Sequence, residues 1–91
     1  MTPDTTALPQ ADETLDCAGL LCPLPVLRAQ KRLRVMAAGA LLEVIATDRM
    51  AEIDLPHFCD QSGHVYIGRE VQGTATRHVI RCGKEFFDLD F

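Results

Sequence analysis

The sequence predicts one α/β domain: a two-layer sandwich, ordered β-α-β-α-β-β, with two helices on one face of a four-stranded mixed sheet. Three observations carry this. Residues 41–46, Leu-Leu-Glu-Val-Ile-Ala, are nearly all apolar and partly β-branched, as suits a central, well-buried strand. Before them, Val26, Ala29, Leu33, Met36 and Ala37 recur at the i, i+3, i+4 spacing of a helix face. After residue 63, two strand-like runs flank Val71-Gln72-Gly73-Thr74, a turn sequence that predicts an antiparallel hairpin. A helix between the first two strands allows a parallel crossover. Right-handed crossovers put both helices on the same face and leave the other face of the sheet exposed.

Composition sets the frame. The chain has 91 residues, so one domain is expected, spanning 13–83, with residues 1–12 disordered and 84–91 an acidic, aromatic tail read as loose. Apolar residues make up 47% and charged residues 24%, the balance of an ordinary globular domain. With no Trp and one Tyr, aliphatic side chains must fill the core. No apolar run approaches the ~20 residues of a membrane span, so no membrane association is expected. Met1 to Glu13 lacks a basic start and an apolar run, so it does not read as a signal peptide, and a cytoplasmic location is expected.

Element by element, Thr14-Leu15-Asp16-Cys17 alternates polar and apolar and reads as the first strand. Ala18 to Leu21 form a loop, with Gly19 giving freedom for its turn. The first helix is expected from Pro23 to about Ala38 and stops at Gly39. Val35 falls on its polar side. Thr47-Asp48 reads as the cap of a second helix over Arg49 to Asp60. Its periodicity is poor, and Pro56 predicts a kink near Leu55, with Phe58 and Cys59 turned inward. His64 to Arg69 and Ala75 to Cys82 are the hairpin strands.

The chemistry centres on Cys22-Pro23-Leu24-Pro25. Proline suits a first helical turn, whose amides have no intrahelical partner. Pro23 and Pro25 are therefore expected at the first and third helical positions, with Cys22 as the cap. A sulfur at the positive end of a helix dipole is expected to have a lowered pKa and to be stabilised as an anion. Cys22 thus reads as a presented, reactive thiol rather than a small core residue.

The four cysteines, at 17, 22, 59 and 82, fit no zinc spacing, and without a secretory context they read as free thiols. Neither metal nor cofactor is expected. Charge is unevenly placed. Net charge is −4, yet residues 13–84 hold nine bases against eight acids, the excess acids lying at the two ends. Residues 17–42 carry Arg28, Lys31, Arg32 and Arg34 and no acid. Arg28, Lys31 and Arg32, mostly opposite the apolar face, read as a docking stripe for a negatively charged partner, or else as a solvated helix face.

Leu15-Asp16, Gly19-Leu20 and Cys22-Pro23-Leu24-Pro25 with the basic helix after it resemble the TusA/SirA-like sulfur-carrier family, whose signature is CPxP at the start of the first helix. The resemblance continues through Leu42 to Asp48 and Phe58-Cys59 and ends near Gly83. It implies a two-layer sandwich in which Cys22 carries sulfane sulfur as a persulfide and Pro23 and Pro25 shape the helix start. It implies a protein sulfur donor, such as a cysteine desulfurase or a rhodanese, and a protein acceptor. Members serve tRNA thiolation, sulfur oxidation or cofactor synthesis. Four positions depart from the pattern. Leu21 stands where many members have Arg, Arg49 where Pro usually follows the aspartate, and Cys17 and Cys82 lie outside the signature.

Three functions follow. A sulfur carrier needs one nucleophilic cysteine and no second catalytic residue; no His or Asp has a spacing that places it with Cys22. His57, His64 and His78 read as surface or strand residues. A nucleic-acid-binding or regulatory module would use the basic helix, but acidic charge elsewhere and few aromatics oppose stable nucleic-acid binding. A thiol redox protein would need Cys17 together with Cys22.

Overall fold

The computed structural model describes residues 8–83. The N-terminal residues before Leu8 and the expected loose tail lie outside the described residues. The elements follow the expected order: β1 (Glu13–Cys17), α1 (Leu24–Leu33), β2 (Leu41–Ala46), α2 (Ala51–Ser62), β3 (Val65–Gln72) and β4 (Ala75–Arg81). The sheet order is β1-β2-β4-β3. β1 runs parallel to β2, and β4 is antiparallel to both β2 and β3.

Register explains which side chains reach the core. Leu15 pairs with Val44, and Val44 with His78; Cys17 pairs with Ala46, and Ala46 with Thr76. Leu42, Val44 and Ala46 are buried, while Leu41, Glu43 and Ile45 are half-buried. β2 is central as expected, but its two faces differ. One faces the helices. On the other, the Arg77 guanidinium pairs with Glu43, and the Thr14 hydroxyl also donates to Glu43, at 3.1 Å. Against the sheet face the core takes Ala29 and Leu33 from α1, Met36 just beyond it, and Leu55 and Cys59 from α2. Fully burying each leucine contributes roughly 1.5–3 kcal/mol.

Two local expectations are corrected, the end of α1 and the extent of β3. α1 stops at Leu33, not near Ala38. The chain continues as tight turns, with Val35 N–H donating to Arg32 and Met36 N–H to Leu33, so Met36 reaches the core without being helical. It then swings through Gly39, at φ 90°, whose N–H donates to the Cys82 carbonyl at 2.7 Å and docks this turn on the end of β4. α2 is one continuous helix across Pro56. The proline removes a single i→i−4 bond, the one to Glu52, and the flanking turns persist. α2 ends at Gly63 in the left-handed region, φ 87°, as a glycine C-cap. The hairpin forms as expected, but β3 extends to Gln72 and its pairing with β4 slips between Tyr66 and Gly68.

Residues 8–12, within the segment expected to be disordered, contact the sheet. The Pro9 carbonyl accepts from Arg77 at 2.7 Å, and Asp12 exchanges hydrogen bonds with Leu41. A Cβ on Gly68 would come within 2.9 Å of the Leu8 side chain. The face expected to be exposed is thus partly crossed by chain, and Val79 on it is fully buried.

Candidate functional site

Cys22 is exposed in the loop between β1 and α1. That loop is pinned to the β2–α2 connection. Gly19 N–H donates to Thr47 Oγ1 at 2.9 Å, and Cys22 N–H donates to Asp48 Oδ2 at 2.6 Å. The other oxygen of Asp48 accepts from Met50 N–H at 3.1 Å. Thr47 and Asp48 were expected to cap α2. Instead Met50 is the cap position, and the Asp48 carboxylate bridges the two loops.

The helix start also differs from expectation. Pro23, joined to Cys22 by a cis peptide, is the cap residue of α1, and Pro25 is its second residue, buried in the core. Leu24 N–H is used by the Leu21 carbonyl at 2.8 Å, so it does not aim at the sulfur. Cys22 stands one residue outside the cap.

The group that meets the sulfur comes from α2. The Cys22 thiol donates to Asp54 Oδ2 at 3.0 Å. This hydrogen bond, then partial desolvation and the charges of Asp54 and Asp48, push the thiol pKa up from its ordinary value. The expected lowering by a helix start is reversed, because a carboxylate in contact outweighs a dipole whose nearest amide is already bonded. The expectation that no Asp accompanies Cys22 is corrected for the same reason. Asp54 is 32 residues away in sequence, and only the crossover through β2 brings α2 alongside.

The cysteine loop, α1 and the start of α2 also expose apolar side chains that sequence reasoning missed. Leu21, Leu24 and Leu27 come from the loop and α1, and Met50 and Ile53 from the start of α2; all are exposed. Leu27 also lines an open groove with Leu15, Arg28, Lys31, Arg32 and Val35. Arg28 and Lys31 are exposed and make no ion pair among the described residues. Arg32 pairs with Glu13 of β1 at 2.6 Å, which neutralises one charge of the stripe.

The other three cysteines are buried. Cys17 is fully buried at the end of β1, and burial raises its pKa, so it is poorly placed to resolve a bond to Cys22. Burial pushes the Cys59 thiol up to about 12. The Cys82 thiol donates to the Leu33 carbonyl at 3.4 Å. His57 is exposed on α2; His64 accepts from Gly83 N–H and lies against Phe58; His78 is fully buried in β4. No group of three His, Cys, Asp or Glu side chains among the described residues is arranged to hold a metal.

Fold and site together define a small α/β sandwich that presents one exposed thiol just ahead of a proline-led helix. Residues 13–82 match the family described as Sulfurtransferase TusA, and the chain belongs to that family. It is 43% identical over 70 residues to the sulfur carrier protein TusA of Pseudomonas entomophila (strain L48), covering 77% of this chain and 88% of that protein. It is 40% identical over 76 residues to YrkF of Bacillus subtilis (strain 168), covering 84% of this chain but 41% of YrkF. Among solved structures, a SirA-like protein of Desulfitobacterium hafniense superposes with a TM-score of 0.64 at 27% identity, covering 79% of this chain and 99% of that one.

Proposed function

We propose that this protein is a sulfur carrier in which Cys22 accepts a sulfane sulfur as a persulfide and relays it to an acceptor protein. The observation that carries this is the singular accessibility of Cys22. Of four free cysteines it alone is exposed, and two side chains of the neighbouring connection tether its loop. A cysteine must be reachable to enter a partner's active site, and held so that it enters in one orientation. Membership in the TusA family and the likeness to a sulfur carrier of Pseudomonas support the same reading.

The exchange needs no cofactor. The Cys22 sulfur bonds to the outer sulfur of a donor persulfide, the donor's S–S bond breaks, and the donor leaves as a thiol. Sulfur, charge and protons balance, with no net oxidation. The donor is a persulfide-forming protein of the cysteine desulfurase or rhodanese type, and the acceptor is a second protein with its own thiol. The work is cytoplasmic. The acceptor serves sulfur oxidation, tRNA thiolation or cofactor synthesis; Leu21, in place of a base beside the cysteine, weighs against the partner set of tRNA thiolation. The exposed apolar side chains and the bases Arg28 and Lys31 form the docking face, Arg32 lending its charge only in part.

The test is intact-protein mass spectrometry after incubation with a cysteine desulfurase and cysteine. Wild type gains about 32 Da, mapped to Cys22, and Cys22→Ser gains nothing. An adduct of equal yield on Cys22→Ser, or one mapped to Cys17 or Cys82, would sink the assignment.

A further inference from the structure

We propose that Asp54 makes the state of Cys22 depend on its load, holding the empty thiol neutral and inward and turning the loaded sulfur outward. The inference rests on the carrier reading above. It stands on geometry: Asp54 Oδ2 lies 3.0 Å from Sγ, close enough to accept the thiol proton and close enough to repel an anion.

Two carboxylates act on this sulfur. Asp54 reaches it from α2, and Asp48, in the connection before α2, holds the Cys22 amide. Both carboxylates push the thiol pKa up. In the empty carrier the S–H bond points at Asp54 and the thiol keeps its proton. That suits a protein whose one exposed thiol meets oxidants and stray electrophiles between partners, because the thiolate is the reactive form.

Loading changes the donor set. In the exchange, Sγ bonds to the donor's outer sulfur while its proton passes to Asp54 and on to the departing donor sulfur, which leaves as a thiol. Cys22–SH and donor–S–S⁻ become Cys22–S–S⁻ and donor–SH, with charge and atoms conserved. The inner sulfur now has no hydrogen to give, so the contact with Asp54 is lost. A persulfide is more acidic than a thiol, so the outer sulfur carries the charge, and Asp54 repels it away from α2 into solvent. An acceptor thereby meets a projecting anion, while the empty carrier offers a neutral, tethered thiol.

The test begins without any sulfur donor. The rate of iodoacetamide alkylation of Cys22 is measured against pH by intact mass, in wild type, Asp54→Asn, Asp54→Glu and, as a control for charge on the same helix, Asp60→Asn. The wild-type midpoint is expected above that of a free thiol. Asp54→Asn should lower it, and each pH unit of lowering should speed alkylation at pH 7 about three-fold, a tenfold gain in thiolate offset by its weaker nucleophilicity. Asp54→Glu and Asp60→Asn should follow wild type. Carriers loaded with a cysteine desulfurase and cysteine are then alkylated at pH 7. The ratio of loaded to empty rate should fall in Asp54→Asn by the factor that its empty thiol gains. Equal midpoints in wild type and Asp54→Asn, with circular dichroism showing both folded, overturn the proposal, as does an unchanged ratio. Failure of wild type to load at all would strike the carrier reading instead, and leave the donor-free titration to judge Asp54.

Discussion

The Cys22 amide and the Asp48 carboxylate are 2.6 Å apart, and this contact, together with Gly19–Thr47, joins the loop ahead of α1 to the loop ahead of α2. Because Asp48 also accepts from Met50 N–H, one side chain sets where both helices begin relative to the sulfur. Replacing Asp48 by Ala leaves two loop amides to water. The expected loss is about 1 kcal/mol of stability, as for a removed helix cap. The functional loss should be larger. A loop free to move misplaces Sγ, and a displacement of about 1 Å can cost up to about a hundred-fold in rate. Asp48→Asn keeps one acceptor oxygen and should recover most of the stability. Urea unfolding together with sulfur-loading rates checks both parts; loading by Asp48→Ala at the wild-type rate would show that the tether does not position the sulfur.

The basic stripe is smaller than its sequence suggests. Arg32 is engaged by Glu13, so reversing it breaks an ion pair and sets two acids side by side. Arg28 and Lys31 are the informative pair. Reversing both to Glu should leave folding intact, since exposed charges contribute little to stability. Sulfur transfer from an acidic partner should slow several-fold at low salt, and the difference should shrink as added salt screens it. Transfer rates equal to wild type at low ionic strength would return the stripe to an ordinary solvated face.

How far the sequence could be read follows from the range of each interaction. The apolar run at 41–46 and the Gly73 turn are local signals, and β2 and the hairpin formed where those signals lay. Cys22 was legible for the same reason, since two prolines within three residues mark a helix start. Asp54 was not. It sits in the element with the weakest periodicity, interrupted by Pro56, and its contact with Cys22 depends on how α2 lies beside α1. The sign of the thiol shift was misread on the same ground. A dipole effect can be reckoned from neighbours in the chain, whereas a carboxylate delivered by another helix cannot. The early end of α1 has a similar cause: Met36 keeps helical spacing, yet the Gly39–Cys82 contact pulls the chain away first.

His78 supplies a pH dependence of stability. Its ring is fully buried on β4, Nδ1 lies 2.8 Å from the Tyr66 hydroxyl, and Nε2 has no partner among the described residues. Burial lowers its pKa to about 4, with Glu52 favouring the proton and Arg69 opposing it. In the unfolded chain the ordinary value is about 6.5. Between these values the unfolded state binds the proton and the folded state does not, so stability falls as pH drops from about 6.5 to about 4. Above 6.5 the group is neutral in both states and contributes no slope. The full penalty, reached near pH 4, is about 3 kcal/mol at most. That is a large share of the roughly 5–15 kcal/mol by which domains are stable. His78→Gln offers the same reach without a titrating group. Urea unfolding free energies at pH 7 and pH 4.5 should differ less in this variant than in wild type, by about 2 kcal/mol. Carboxylates common to both proteins cancel in that comparison, so equal differences would mean that His78 is already protonated in the fold or that its burial carries no electrostatic cost.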